Sequence, residues 1–249
     1  MIRTIVLATQ KGGSGKSTLA MGLAVAAQQA GEIVRLIETD PQGTLSYWQS
    51  RRGLAEPFVE PIQQVSDIGR RLDALARGGV TLAVIDTSSG INALTRAAID
   101  QADLCLVPAR PCVADIVASA PTVKIIQNSR RRFAFVLNQA PRRGQRASEA
   151  ANALSQGDRD LADIIAKPLI ILRNDHQDAL AAGLGVTEFN DGGKSAEEIR
   201  LLWQWIEQRL GQSDACHALR AAGAESRSLM ANAVAPPPNE ASLSWDACL

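Results

Sequence analysis

Aromatic residues are scarce in this chain, with four Phe, four Trp and one Tyr in 249 residues. They form no aromatic platform with the basic residues, so base stacking or sequence readout of nucleic acid is not expected. Cysteine is equally thin. Cys105, Cys112, Cys216 and Cys248 form no C-x-x-C pair and no zinc spacing, so neither a zinc module nor a disulfide framework is indicated. No apolar run approaches the roughly 20 residues that span a bilayer. Met1-Ile2-Arg3 leads straight into a strand-like run with no signal-peptide pattern. The expectation is a soluble, cytoplasmic protein. Excess charge of one sign is also missing: 26 basic residues face 26 acidic ones. Any contact with nucleic acid must therefore come from a local patch.

What is present is an alternation of short apolar runs with helix-length amphipathic stretches. Ile2 with Ile5, Val6 and Leu7 reads as a buried strand, and similar runs come at Ile33–Ile37, Leu82–Ile85, Leu104–Val107, Phe133–Leu137 and Leu169–Leu172. Phe58–Ile62 adds a short edge strand flanked by Pro57 and Pro61. This order predicts an α/β fold, a mostly parallel twisted sheet with helices on both faces, in a chain long enough for one domain with a substantial core. The last helix expected is Ser195–Leu210, where Ile199, Leu202, Trp203, Ile206 and Leu210 share one stripe. Residues 1–211 are therefore read as the folded domain. Residues 212–249, rich in Ala, Ser and Pro and carrying Pro236-Pro237-Pro238, are read as a flexible tail.

Between the first strand and the alanine-rich helical stretch Leu19–Ala30 stands K-G-G-S-G-K-S-T, Lys11 to Thr18. Strand, glycine loop and helix form the context that a phosphate-binding loop requires. Gly12, Gly13 and Gly15 let backbone N–H groups converge on an anion at the positive end of the helix, and Lys16 adds a point charge for the outer phosphates. Ser17, with Thr18 beside it, is placed to ligate Mg²⁺. The loop is a variant of G-x-x-x-x-G-K-[ST], because the first glycine of that pattern is absent and a second lysine, Lys11, opens the motif. Lys11 cannot readily fold back onto the phosphates that Lys16 occupies. It can reach the nucleotide of a second copy, acting in trans as an arginine finger does, which implies a two-fold dimer with nucleotide sandwiched between subunits.

Two acidic positions complete the chemistry. Asp40, in E-T-D-P-Q after the second strand, is read as positioning or activating the attacking water. Asp86 ends the apolar strand Val84-Ile85-Asp86, where a carboxylate reaches Mg²⁺ through water, and the small residues Thr87-Ser88-Ser89-Gly90 after it fit a γ-phosphate-sensing loop.

These segments, together with V-P-A-R-P-C-V-A-D at Val107–Asp115 and F-V-L-N ending at Asn138, resemble the ParA/MinD ATPases with a deviant Walker A motif. Within that family the chain is most similar to short ParA-type partition ATPases that lack an N-terminal helix-turn-helix domain. The resemblance spans roughly residues 2–210. It implies a P-loop NTPase-like single domain that binds ATP and Mg²⁺. Lys11 would contact the partner subunit's ATP, and Gly12 would lie at the dimer interface, where a side chain would clash. Gly13, Ser14 and Gly15 would line the phosphates, with Lys16, Ser17 and Thr18 on phosphates and Mg²⁺. Asp40 would support hydrolysis, Asp86 would be the Walker B carboxylate, and Asn138 would contact adenine. Glu38 stands where many relatives have Asp, and Ser88-Ser89 where Pro-Pro is frequent.

The resemblance also gives meaning to some of the basic residues. Arg130-Arg131-Arg132 reads as a solvated face, whereas Arg173 and Lys194 match positions of DNA-contacting residues in similar ParA proteins. Arg142, Arg143 and Arg200 are further candidates. The implied function is an ATPase for DNA segregation or cargo positioning, cytoplasmic and nucleoid-associated. It would form an ATP-bound homodimer, bind nonspecific DNA, and hydrolyse slowly until stimulated by a ParB-like or other cargo-linked adaptor. The alternatives are a MinD-like membrane-associated regulator and a metabolic P-loop enzyme. The first needs a basic amphipathic C-terminal helix. The tail sets Arg220 and Arg227 against Asp214, Glu225, Glu240 and Asp246, which opposes that helix, so no membrane partner is expected.

Overall fold

β-Branched, apolar segments form six strands in the computed structural model, which describes residues 2–142 and 165–211. They are β1 (Arg3–Leu7), β2 (Val34–Glu38), β3 (Phe58–Pro61), β4 (Leu82–Asp86), β5 (Leu104–Ala109) and β6 (Phe133–Leu137). The sheet order is β3-β2-β4-β1-β5-β6, and every neighbouring pair is parallel. Parallel pairing needs a crossover between strands, and helices supply it. These are α1 (Lys16–Gln29), α2 (Thr44–Arg51), α3 (Val65–Arg77), α4 (Ala93–Asp100) and α5 (Val113–Asn128). After β6 come α6 (Asp175–Ala181) and α7 (Val186–Phe189), then α8 over residues 194–211.

Alternate residues of each strand point to opposite faces, and the sheet is accordingly coated on both. On one side Ile5, Leu7, Leu36 and Val84 pack with Leu19 and Leu23 of α1, Trp48 of α2 and the apolar stripe of α8. On the other, Val6, Ile37, Ile85 and Val107 pack with Ile68 and Leu72 of α3, Ile99 of α4 and Ile126 of α5. Ile199, Leu202, Trp203, Ile206 and Leu210 are each no more than 2% exposed, as their spacing predicts. Burying each such side chain contributes roughly 1.5–3 kcal/mol, so this one stripe fixes α8 on the sheet.

Three expectations about strands resolve differently. Phe58–Pro61 does form the edge strand β3, where Pro61 leaves no unmet ladder donor on the outer side. The expected strand Leu169–Leu172 is not one. The chain here makes only isolated parallel bridges, Phe135 with Ile165 and Ala140 with Ile171. Pro168 has no N–H with which to carry a ladder from one bridge toward the other. Ile33, expected at the start of a strand, lies just before β2 and is 57% exposed.

The register of the central strands places the chemistry. Leu7 is level with Asp86, and Asp86 is level with Glu38, so the ends of β1, β4 and β2 bring the phosphate loop and both carboxylates to one edge of the sheet.

Candidate functional site

The loop leaves β1 at Ala8, whose N–H is held by Leu106 O at 3.0 Å, and turns into α1 at Lys16. Gly13 and Gly15 take φ values of +70° and +88°, left-handed backbone that a side chain disfavours. Gly15 has a second constraint, because a Cβ there would stand 2.3 Å from Asn138 Nδ2. That amide donates to Ser14 O at 2.8 Å, and Gln139 Nε2 donates to Gly13 O at 2.9 Å. Two loop carbonyls are thus tied toward the end of β6. No side chain caps α1 and no acidic residue sits in its first turn, so the positive helix end stays open to an anion. Ser14 Oγ is buried and has no hydrogen-bond partner among the described residues.

Lys16 is 6% exposed, and its ammonium donates to Ser89 Oγ at 3.3 Å. Burial lowers its pKa, while Asp86 and Asp40 act against that shift. Asp86 is fully buried. Its Oδ2 accepts from Ser17 Oγ at 2.6 Å, and its Oδ1 has no partner among the described residues. Burial pushes its carboxyl up to about 7, although the Ser17 hydrogen bond and the Lys16 charge pull the other way. An orphaned buried carboxylate oxygen beside a hydroxyl is a fit for a hard cation such as Mg²⁺. No group of three or more acidic, His or Cys side chains that could hold a metal exists among the described residues. A cation here must therefore complete its shell with water and phosphate oxygens, which is how Mg²⁺ is usually held.

Asp40 lies at the mouth of this edge, half-buried, with Oδ1 accepting from Gln42 N at 3.0 Å. Its loop is fixed to β4, because Thr39 donates to Asp86 O through both N (2.9 Å) and Oγ1 (3.0 Å). Glu38 has a different task. Its carboxylate accepts from Leu45 N at 2.6 Å, from Ser46 N at 3.2 Å and from the Ser46 hydroxyl. It therefore caps the start of α2, and the extra methylene relative to Asp gives it that reach.

Lys11 points away from Lys16. It is 41% exposed and pairs with Asp115, in the first turn of α5. Arg110 meets the same carboxylate, Nε to Oδ2 at 2.7 Å and Nη2 to Oδ1 at 3.3 Å. Burial alone would raise the pKa of Asp115, but hydrogen bonds from Arg110, Lys11 and Cys112 outweigh it and hold the carboxyl below the usual range. A Cβ at Gly12 would meet nothing closer than Ser89 Oγ at 3.5 Å, an ordinary contact. Nothing within the described chain therefore requires glycine at that position.

Gly15, Thr18, Leu19, Asn138 and Gln139 line one side of a cleft of about 90 Å³, and Ile171, Leu172, Arg173, His176 and Leu180 line the other. Apolar walls with a few polar groups beside a phosphate loop suit a nucleoside. Of the five basic candidates, Arg142, Arg173 and Lys194 line one open recess of about 610 Å³ together with Ile171. Arg173 is mostly buried and bonded to Glu198 at 2.7 Å, whereas Arg142 and Lys194 are exposed. Arg200 is tied instead to the Asp191 side chain and carbonyl. Arg143 lies outside the described residues.

Three participants were not singled out from the sequence. Gln139 comes directly after Asn138, and its positive φ of 54° is invisible in composition. Asp115 and Arg110 lie within a recognised motif, yet a contact across 104 residues to Lys11 leaves no local pattern.

A parallel sheet whose central strand feeds a glycine loop into a helix, with Asp86 ending the neighbouring strand and Asp40 just beyond the next one, is the arrangement of a P-loop nucleotide-binding domain. The chain belongs to the CobQ/CobB/MinD/ParA nucleotide binding domain family, whose model matches residues 5–177. It is 29% identical over 212 residues to the "Maintenance of carboxysome distribution protein A" of Gloeobacter kilaueensis, covering 84% of this chain and 94% of the relative. Among solved structures, a complex of Cyanothece McdA with ATP matches at TM-score 0.66 and 18% identity, covering 84% of this chain and 96% of that one. MinD of Pyrococcus horikoshii, solved with Mg-ADP, matches at TM-score 0.63 and 16% identity, covering 83% and 96%.

Proposed function

We propose that this chain is a ParA-type ATPase that positions DNA or another intracellular cargo. It binds ATP with Mg²⁺ and pairs with a second copy across the nucleotide. The pair holds DNA without regard to sequence, and hydrolysis occurs when a cargo-linked adaptor engages. The observation that carries this reading is the opposed placement of the two loop lysines: Lys16 faces inward toward Asp86, and Lys11 faces outward on Asp115.

The roles divide accordingly. Gly13, Ser14, Gly15 and Lys16 bind the phosphates, Ser17 and Asp86 hold Mg²⁺, and Thr18 and Asn138 border the nucleoside. Mg²⁺ supplies charge neutralisation on the transferring phosphate. Asp40 orients the attacking water, and Lys11 of each copy leaves Asp115 to reach the other copy's nucleotide. Arg142 and Lys194, with Arg173, supply phosphate contacts for DNA, and Arg200 and Arg143 are secondary candidates. Two subunits double the contacts, and since log affinity falls with log salt by about 0.9 per contact, pairing makes DNA binding both tighter and more salt-sensitive. The relative from Gloeobacter is named for carboxysome distribution, which supports a protein assembly as one kind of cargo. Residues 1–211 carry these functions, and the 212–249 tail, outside the described residues, is not needed for nucleotide binding.

The test is binding to nonspecific duplex DNA at several salt concentrations, with ADP and with ATP plus Mg²⁺, and with Lys16→Ala as control. ATP-dependent, salt-sensitive binding that the control lacks is the expected result. Binding that is equal or absent in all nucleotide states would remove DNA from the reading, and ATP-dependent sedimentation with liposomes would replace it with a membrane role.

A further inference from the structure

Arg173 stands at a boundary. It lines the basic recess with Arg142 and Lys194, and it also lines the nucleoside cleft with Leu172 and His176. Its guanidinium is nevertheless turned inward. The side chain is 14% exposed, Nη1 donates to Glu198 Oε2 at 2.7 Å, and Nε is buried with no partner among the described residues. Glu198 belongs to α8 and is 15% exposed, and its Oε2 also accepts from Ile171 N at 3.0 Å. One carboxylate thus ties both ends of the segment 171–173 to α8.

A carboxylate and a phosphate offer an arginine the same thing, a negative charge carried on paired oxygens. While Glu198 holds the fork, an arriving phosphate must displace that carboxylate or be repelled by it. The pair is also incomplete, because a buried N–H without an acceptor costs free energy, and a phosphate taking Nε together with an Nη group would recover it. Asp175 lines the same surface beside Arg142 and Lys194, but its carboxylate is engaged by Ser195 Oγ at 3.0 Å. We infer that Glu198 is an internal competitor for DNA phosphate, occupying Arg173 in the free chain so that DNA gains this contact only by displacing a carboxylate. The inference rests on the DNA reading proposed above and adds its regulation. A contact weakened in this way keeps a single subunit off DNA and leaves binding to the pair, where contacts from two subunits add.

The experiment is binding of the full chain to nonspecific duplex DNA, with ATP and Mg²⁺, over a series of salt concentrations. The chains compared are wild type, Glu198→Gln, Asp175→Asn and the double variant Glu198→Gln with Arg173→Ala. Glutamine keeps an acceptor for Ile171 N and removes only the charge, whereas Asp175→Asn removes the same charge without unpairing Arg173. Expected in Glu198→Gln is binding about tenfold tighter, with a salt slope steeper by about 0.9 for each arginine released. Asp175→Asn should gain less, and the double variant should return to wild-type affinity or weaker. No gain in Glu198→Gln would overturn the inference while DNA binding itself stands. A gain that Asp175→Asn equals, or that survives Arg173→Ala, would do the same, because the effect would then be one of general charge. If none of these chains binds DNA in any nucleotide state, the DNA reading falls and the role of Glu198 falls with it.

Discussion

Two buried aspartates flank the phosphate loop, each within reach of one of its lysines, and they are in opposite electrostatic states. Asp115, 3% exposed at its side chain, is surrounded by Lys11, Arg110 and Cys112 and stays ionised far below the usual carboxylate range. Asp86, more deeply buried, has one hydroxyl donor and an orphaned oxygen, and burial raises it to about 7. Asp86 lies deep beneath the sheet edge while Asp115 sits near the surface with two cations on it, so depth and donors together make the difference. Asp115 is a completed charge cage that holds the outer lysine in place. Asp86 is an incomplete one, whose ionised form a bound cation would favour further. On the function proposed above, the first would be a contact that opens when Lys11 acts elsewhere and the second a place for a cation.

Replacing Asp86 should break this contrast most severely. Asp86→Asn keeps the shape but removes the charge, and Mg²⁺-dependent ATP turnover is expected to fall on the order of 100-fold. Stability moves the other way. The folded chain keeps the Asp86 proton up to about pH 7, while the unfolded chain releases it near 3.8. The native state therefore binds more protons across that window, and stability of the nucleotide-free protein falls as pH rises through it, by at most about 4 kcal/mol, then levels off. Urea unfolding at pH 5 and pH 8 checks the slope. Asp86→Asn should lose it and be the more stable chain at pH 8; a wild-type curve flat between those values would remove the strained carboxylate from the comparison.

Asp115→Asn probes the completed cage. Its contribution to stability is present above the unfolded carboxylate pKa and disappears as pH falls below it, because its native pKa is depressed. Lys11 and Arg110 are both partly exposed and can turn to water once unpaired, so the expected loss at neutral pH is only about 1 kcal/mol. The larger consequence is for pairing. With Lys11 released, ATP-dependent dimerisation measured by sedimentation should occur at lower protein concentration, and an unchanged dimerisation threshold would show that the Lys11–Asp115 contact does not restrain assembly.

Much of the framework is legible in the sequence, for physical reasons that also mark where legibility stops. β1, β2 and β4 to β6 are announced by β-branched runs, and α8 by a stripe that only a helix can align. Leu169–Leu172 is just as apolar, but hydropathy does not record that Pro168 lacks a donor, so a strand is expected where the chain makes only bridges. The phosphate loop is readable because its chemistry lies within eight consecutive residues. Asp115 is not, because its contact with Lys11 exists only once β1 and β5 lie side by side. Glu38 falls between these cases: its bond to Leu45 N spans seven residues, close in sequence but beyond the spacing of an N-cap residue, which here is Gly43.

Gly12 offers the finest test, since it separates what the single chain needs from what an assembly needs. Gly13 and Gly15 are required by their left-handed backbone, but Gly12 is not, and a methyl group there meets only Ser89 Oγ at 3.5 Å. Gly12→Ala should therefore change unfolding stability by no more than about 0.5 kcal/mol and leave ATP binding by the monomer near wild type. If the outward half of the loop faces a second copy, as the placement of Lys11 suggests, the same methyl group blocks close approach, and ATP-dependent dimerisation measured by light scattering should be lost. A Gly12→Ala chain that pairs normally would show that the loop's outer surface stands clear of the interface, and Lys11 would then have to act within its own subunit.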